Sequence, residues 1–123
     1  MDSHLLLGLF HIFAVVPLFL YVALNRANTA TPVYGFLLVL GGIILAYHAY
    51  KAWVKFLAGA SSVWINIVHV LFVAPLLIYI GYREKETPRY VYELLAMVAF
   101  AALGYHTYHL IVSMNVVMDD SKK

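Results

Sequence analysis

The sequence predicts an all-α membrane protein: four transmembrane helices in an up-down-up-down bundle, made by duplicating a two-helix hairpin. Three observations carry this. Of 123 residues, 64% are hydrophobic and 11% charged, with a mean hydropathy of +0.86, too apolar for a soluble globule of this size. The apolar residues fall into four long runs separated by short polar turns. And sliding residues 4–55 over 62–113 without a gap gives 14 identities in 52 positions. The 123 residues form a single transmembrane domain, with repeat 1 at about 4–58 and repeat 2 at about 62–117.

The identities are not a random sample of residue types. His11 falls on His69, Pro17 on Pro75, Tyr21 on Tyr79 and Tyr34 on Tyr92, and Tyr47-His48-x-Tyr50 falls on Tyr105-His106-x-Tyr108. The apolar positions between them have drifted. Each repeat holds two helices, so both repeats have the same orientation, and a pseudo-twofold axis along the membrane normal should relate them.

In chain order, residues 5–24 are an uncharged run of 20, the length a helix needs to cross a bilayer core. The residues before it lack a basic signal-peptide n-region, so the run reads as a retained span. Asp2 or Ser3 can cap it. Pro17 should kink it, because the ring removes one hydrogen bond and crowds the carbonyl four residues back. Residues 25–31 form a polar turn, and Thr31-Pro32 starts a second helix with Thr as N-cap, running to about Phe56. Residues 59–62 make the next turn, and Ser61 or Ser62 caps a third span over residues 63–81, where Pro75 repeats the kink. Residues 82–88 form the most charged loop. Its Thr87-Pro88 sits two residues early in the 58-residue register, which implies a shorter loop and an earlier fourth helix, running to about Val117. Both termini then lie on one side. That side carries Lys51, Lys55, Lys122 and Lys123, and the other Arg26, Arg83, Lys85 and Arg89. Four against four gives the positive-inside rule no orientation to choose.

Several function classes drop out. With no cysteine there is neither a disulfide frame nor a thiolate metal site. A net charge of +2 without a basic, aromatic-interleaved patch argues against nucleic acid as a partner. No phosphate loop, nucleophile–base pair or carboxylate pair is present, which disfavours hydrolytic chemistry. The lipid bilayer is the expected partner. A second copy of the chain is a possible further one: a four-helix monomer has a closely packed centre, so conduction would need an oligomer.

Candidate chemistry centres on the four duplicated histidines. By helical rise, His11, His48, His69 and His106 all fall in the third of the membrane nearest the termini, one per helix. Polar residues within a span commonly face the interior and mark function. Three readings stand side by side. In the first, the layer binds haem b or a transition metal, since imidazole suits iron, copper and zinc. Lys51, Lys55 and His109 would then serve haem propionates, Gly41 and Ala99 would leave room for a macrocycle, and Tyr47, Tyr105 and Asn66 would support the ligands. A tetra-histidine metal site would use all four rings. In the second, an oligomer forms a histidine-lined proton or ion pathway. In the third, the histidines are packing elements that hydrogen-bond to Tyr47, Tyr105, Asn66 or backbone groups, as polar residues in spans commonly do. Small residues such as Gly42, Ala101 and Ala102 read as close helix packing. Tyr21, Tyr34, Tyr79, Tyr90 and Tyr92 read as an interfacial aromatic belt, and Glu93 as an ion-pair partner of Arg26 or Arg83.

The run from Val68 to Gly81 (VHVLFVAPLLIYIG), Thr87-Pro88-Arg89, Ala101-Ala102-Leu103-Gly104-Tyr105-His106, and Leu45–Ala52 (LAYHAYKA) resemble small membrane proteins of large DNA viruses that infect marine algae. The resemblance covers most of the chain. It implies a host or viral membrane as location and carries no catalytic residue with it.

Overall fold

A computed structural model of the chain describes residues 3–123. The described residues are all helix and turn, with no strand. Asp2, expected as a cap, lies outside them. Four helical stretches are long and apolar enough to cross a membrane: Ser3–Asn28, Thr31–Leu57, Val63–Glu86 and Arg89–Asp120.

The first stretch consists of α1 (Ser3–Phe10), a π-helical turn (His11–Val15), α2 (Val16–Asn25) and a 3₁₀ turn (Arg26–Asn28). The second is α3 (Thr31–Leu57). The third repeats the pattern of the first, with α4 (Val63–Val68), a π turn (His69–Val73), α5 (Ala74–Arg83) and a 3₁₀ turn (Glu84–Glu86). The fourth is α6 (Arg89–Asp120). Each π turn ends two residues before a proline. Proline has no N–H and its ring crowds the carbonyl four back. The chain answers by widening one turn, so that the residue just before each proline bonds five residues back, Val16 N–H to the His11 carbonyl and Ala74 N–H to that of His69. The expected kink is thus a π bulge, one of the recognised ways a helix absorbs proline.

The 58-residue register survives in the turns, which corrects the expectation of a shorter second loop. α3 begins at Thr31 and α6 at Arg89, 58 apart. The counterpart of Thr87 is Thr29, not Thr31. Thr29 N–H donates to the Arg26 carbonyl at 3.0 Å, as Thr87 N–H does to that of Glu84 at 3.1 Å. Among the described residues, Arg26 and Glu84 are the non-glycine residues with positive φ, both at 51°. The two Thr-Pro dipeptides therefore look alike by coincidence. The expected threonine and serine caps also differ: Ala30 occupies the cap position before Thr31, and Ser62 precedes α4 without a side-chain capping bond.

Cα proximity divides the chain into two compact units, residues 25–92 and residues 1–24 with 93–123. The first unit joins the second helix of repeat 1 to the first helix of repeat 2. There α3 and α5 run antiparallel at glycine contacts. A Cβ on Gly81 would lie 2.6–2.8 Å from Leu38 N, Cα and Cβ, and one on Gly41 would lie 2.8 Å from Ile78 Cγ1 and 3.2 Å from the Ala74 carbonyl oxygen. Gly41 is thus a site of close helix packing, and the room expected there for a macrocycle is filled by Ile78.

At the turn end of this unit Tyr34 and Tyr92, 58 residues apart, are fully buried. Their hydroxyls lie 2.9 Å apart. Each also reaches a turn carbonyl eight residues back, Tyr34 that of Arg26 at 2.7 Å and Tyr92 that of Glu84 at 3.0 Å. Burial removes these two from the expected aromatic belt. Tyr21, Tyr79 and Tyr90 remain exposed, as belt residues would be.

In the other unit, Val16, Phe19, Val22, Ala23, Leu95 and Ala99 are buried. Most large apolar side chains of both units face outward, Leu24, Phe13 and Leu71 by more than two thirds of their surface.

Candidate histidine site

Each unit holds one pair of the duplicated histidines. In the unit of residues 25–92, His48 from α3 stacks on His69 from the π turn, ring centroids 4.1 Å apart and planes 11° from parallel. In the other, His11 from the first π turn stacks on His106 from α6 at 4.2 Å and 24°. The pairs correspond under the 58-residue shift, since His11 maps to His69 and His48 to His106.

The π turns position the first member of each pair in the same way. His11 Nδ1 lies 2.8 Å from the Leu7 carbonyl oxygen, and His69 Nδ1 lies 2.7 Å from that of Ile65, both four residues back. A carbonyl only accepts, so in both rings Nδ1 carries the hydrogen and Nε2 carries the in-plane lone pair of the neutral form. Metal-ligating histidines are commonly fixed in this way, through a backbone carbonyl on the other ring nitrogen.

The second members differ. Asn66, buried one turn before His69, donates its Nδ2–H to His48 Nδ1 at 2.9 Å. With the amide nitrogen toward the ring, His48 Nδ1 is the accepting nitrogen and Nε2 carries the hydrogen. Asn66 Oδ1 is buried and accepts no hydrogen bond from any described residue. Position 8 is the register counterpart of Asn66, and it holds glycine. A Cβ on Gly8 would come 4.0 Å from His106 Nδ1 and within 4 Å of nothing else.

Of the supporting residues expected from the sequence, Asn66 reaches a histidine directly. Tyr47 and Tyr105 stand edge-on to their chain neighbours His48 and His106, at 5.1 and 5.2 Å. His109 is exposed, with Tyr105 at 4.4 Å and Tyr108 at 5.3 Å between centroids. Lys51 and Lys55 are half-buried on α3.

This geometry limits the chemistry. Imidazole lone pairs lie in the ring plane, so two nearly parallel rings cannot aim both at one metal ion. Each stacked pair as it stands offers a metal one nitrogen, not two. Among the described residues no group of three or more His, Cys, Asp or Glu side chains is placed to hold an ion. The sequence signal that could have revealed the π turns was present: both repeats read His-x5-Pro, His11 to Pro17 and His69 to Pro75.

No family model, curated protein or solved structure matches this chain.

Proposed function

We propose that the chain is an integral membrane protein that binds a metal centre, haem above all, through histidine Nε2. Its four apolar helices cross the bilayer up and down, with both termini on one side. Their outward-facing apolar side chains suit lipid tails. The resemblance seen in the sequence adds a host or viral membrane as location.

One observation carries the cofactor reading. His11 and His69 each open a π turn, and each gives its Nδ1 hydrogen to the carbonyl four back, at 2.8 and 2.7 Å. This holds Nε2 as the lone-pair nitrogen twice in one register, and π bulges recur at functional sites. Haem is preferred to a bare ion because it brings four equatorial nitrogens and asks one or two axial ligands of the protein. A structural zinc needs about four protein ligands, more than a stacked pair supplies. Bound there, haem would supply redox or small-ligand chemistry at iron. Phe10, exposed and with its ring edge-on to His11, suits an apolar macrocycle.

The test is metal analysis and the visible spectrum of protein purified from haem-supplied cells. Wild type should carry one or two haems per chain, and the double change His11→Ala with His69→Ala should carry none. Colourless, metal-free wild type defeats the proposal.

A second reading rests on the stacked rings and the Asn66–His48 bond, which are what interhelical packing would use. It predicts colourless protein in which His48→Ala and Asn66→Ala lower stability. Hydrogen bonds between membrane helices average about 0.6 kcal/mol, so the loss should be small.

A further inference from the structure

We infer that the groove between the end of α3 and α4 holds one acyl chain of an anionic phospholipid, with Lys55 on its phosphate. The inference rests on the membrane reading above and is independent of haem.

The groove lies wholly within the unit of residues 25–92. There the last turns of α3 pack against α4 and the π turn that follows it. On α3, Ala49, Ala52, Trp53 and Phe56 line it at the i, i+3, i+4 and i+7 spacing of one helical face, and Ile67 and Leu71 line it from the other side. Its volume is about 360 Å³, within the range of ligand clefts at about 300–1,000 Å³. Its side chains are apolar throughout. Trp53, Phe56 and Leu71 are each more than half exposed, so the groove opens outward.

Charge selects the headgroup. The carboxylates of this unit are Glu84 and Glu86. Both belong to the 3₁₀ turn that packs on Arg26–Asn28, beside the start of α3. Lys51 and Lys55 sit at the other end of that helix, Lys55 about 36 Å from Thr31 by helical rise. Neither ammonium makes an ion pair with a described residue. Both lysines are half-buried, so their stems lie along the protein while their heads reach toward the headgroups. Trp53 and Trp64 are exposed, as interfacial tryptophans are. A cationic rim beside an apolar slot at the interface matches a lipid that carries net negative charge.

The second repeat lacks these parts. The register counterparts of Ala49, Ala52, Trp53 and Lys55 are Thr107, Leu110, Ile111 and Ser113. Both alanines have given way to larger side chains, and the indole and the cation are gone. Small residues, indole and cation thus occur together in one repeat and are absent together from the other.

The experiment is fluorescence quenching of the full chain in phosphatidylcholine nanodiscs, with Trp64→Phe making Trp53 the reporter. One arm contains a small fraction of brominated phosphatidylglycerol, the other the same fraction of brominated phosphatidylcholine. The anionic lipid should be preferred about fivefold or more, the factor that one interfacial lysine supplies. Lys55→Gln should cut the preference about fivefold. Ala52→Leu, which copies the second repeat and keeps helix propensity, should erase it. Should Ala52→Leu fail to fold, Ala49→Thr, copied in the same way, takes its place. Equal quenching in both arms means ordinary shell lipid at Trp53 and overturns the inference. A preference that survives both Lys55→Gln and the groove-filling change overturns it too. So does a Trp53 shielded from both brominated lipids in a chain that cross-links as a dimer, since a second copy then fills the groove. In these three cases the chain still resides in the nanodisc and the membrane reading stands. A chain that does not enter nanodiscs at all overturns both.

Discussion

The two buried tyrosine hydroxyls make a prediction that depends on counting protons. Tyr34 and Tyr92 share three short contacts: with each other at 2.9 Å, with the Arg26 carbonyl at 2.7 Å and with the Glu84 carbonyl at 3.0 Å. Two hydroxyls own two hydrogens, so only two of the three contacts are hydrogen bonds at any instant. Tyr92→Phe leaves one tyrosine proton, donated from Tyr34 to Arg26, beside the bond between Tyr34 and the Thr29 side chain. Tyr34→Phe leaves Tyr92 to Glu84. The double change leaves none, and losing the Tyr34 hydroxyl in either background also removes its bond with the Thr29 side chain. No carbonyl is orphaned, because Thr29 N–H still serves Arg26 at 3.0 Å, and Thr87 serves Glu84 through N–H at 3.1 Å and Oγ1 at 2.6 Å. Tyr92→Phe should therefore cost about 1 kcal/mol, the net worth of one satisfied bond, Tyr34→Phe about 2 because the Thr29 bond goes too, and the double change about 3. The coupling energy is then near zero, which is unusual for residues in contact, where about 0.5–3 kcal/mol is normal. Reversible unfolding of the four proteins in mixed micelles measures it. If the tyrosine–tyrosine contact were an independent further bond, Tyr92→Phe would cost about 2, Tyr34→Phe about 3 and the double about 4. A coupling of about 1 kcal/mol would refute the proton count.

Other expectations follow from single positions. Gly81→Ala should cost about 1–3 kcal/mol, because the new Cβ meets Leu38 backbone atoms that cannot turn aside. Gly42→Ala, with nothing within 4 Å, should be neutral or gain up to about 1 kcal/mol from helix propensity. Glu84→Gly should raise the unfolding midpoint slightly, since φ of 51° strains a residue with a Cβ by about 1–3 kcal/mol and glycine returns about 0.5–1 of that in entropy. Proteoliposomes loaded with a pH dye should acidify no faster than empty ones between about pH 5 and 8, the range over which an unperturbed histidine titrates. Faster acidification that disappears when His48 and His106 are both replaced would favour a conducting role instead.

Much of this architecture was legible in the sequence, because one repeat constrains the other. Apolar runs located the four helices, and the 58-residue identities picked out the histidines. The same comparison misled at the loops, where Thr-Pro looked like a marker. The real marker was the threonine three residues after a strained position, Thr29 after Arg26 and Thr87 after Glu84, and strain at a non-glycine residue leaves no trace in composition. Tyr34 and Tyr92 looked like belt residues because depth can be read from a sequence and facing cannot. The pairing of His11 with His106 and of His48 with His69 was hidden for the same reason: a shared depth does not say which rings touch. Gly8 opposite Asn66 was visible in the alignment of the halves. It acquires meaning only once His48 Nδ1 is seen to hold the amide.

The central claim is that π-turn histidines hold a metal macrocycle, and the optical spectrum of the purified protein tests it most directly. Protein made in haem-supplied cells, extracted gently and scanned from the near ultraviolet through the visible, should show an intense Soret band. Its intensity should correspond to at least one haem per chain, and it should vanish in the His11→Ala, His69→Ala double variant while the helical circular dichroism stays unchanged. A colourless wild type that gains no Soret shift on added hemin would contradict the account.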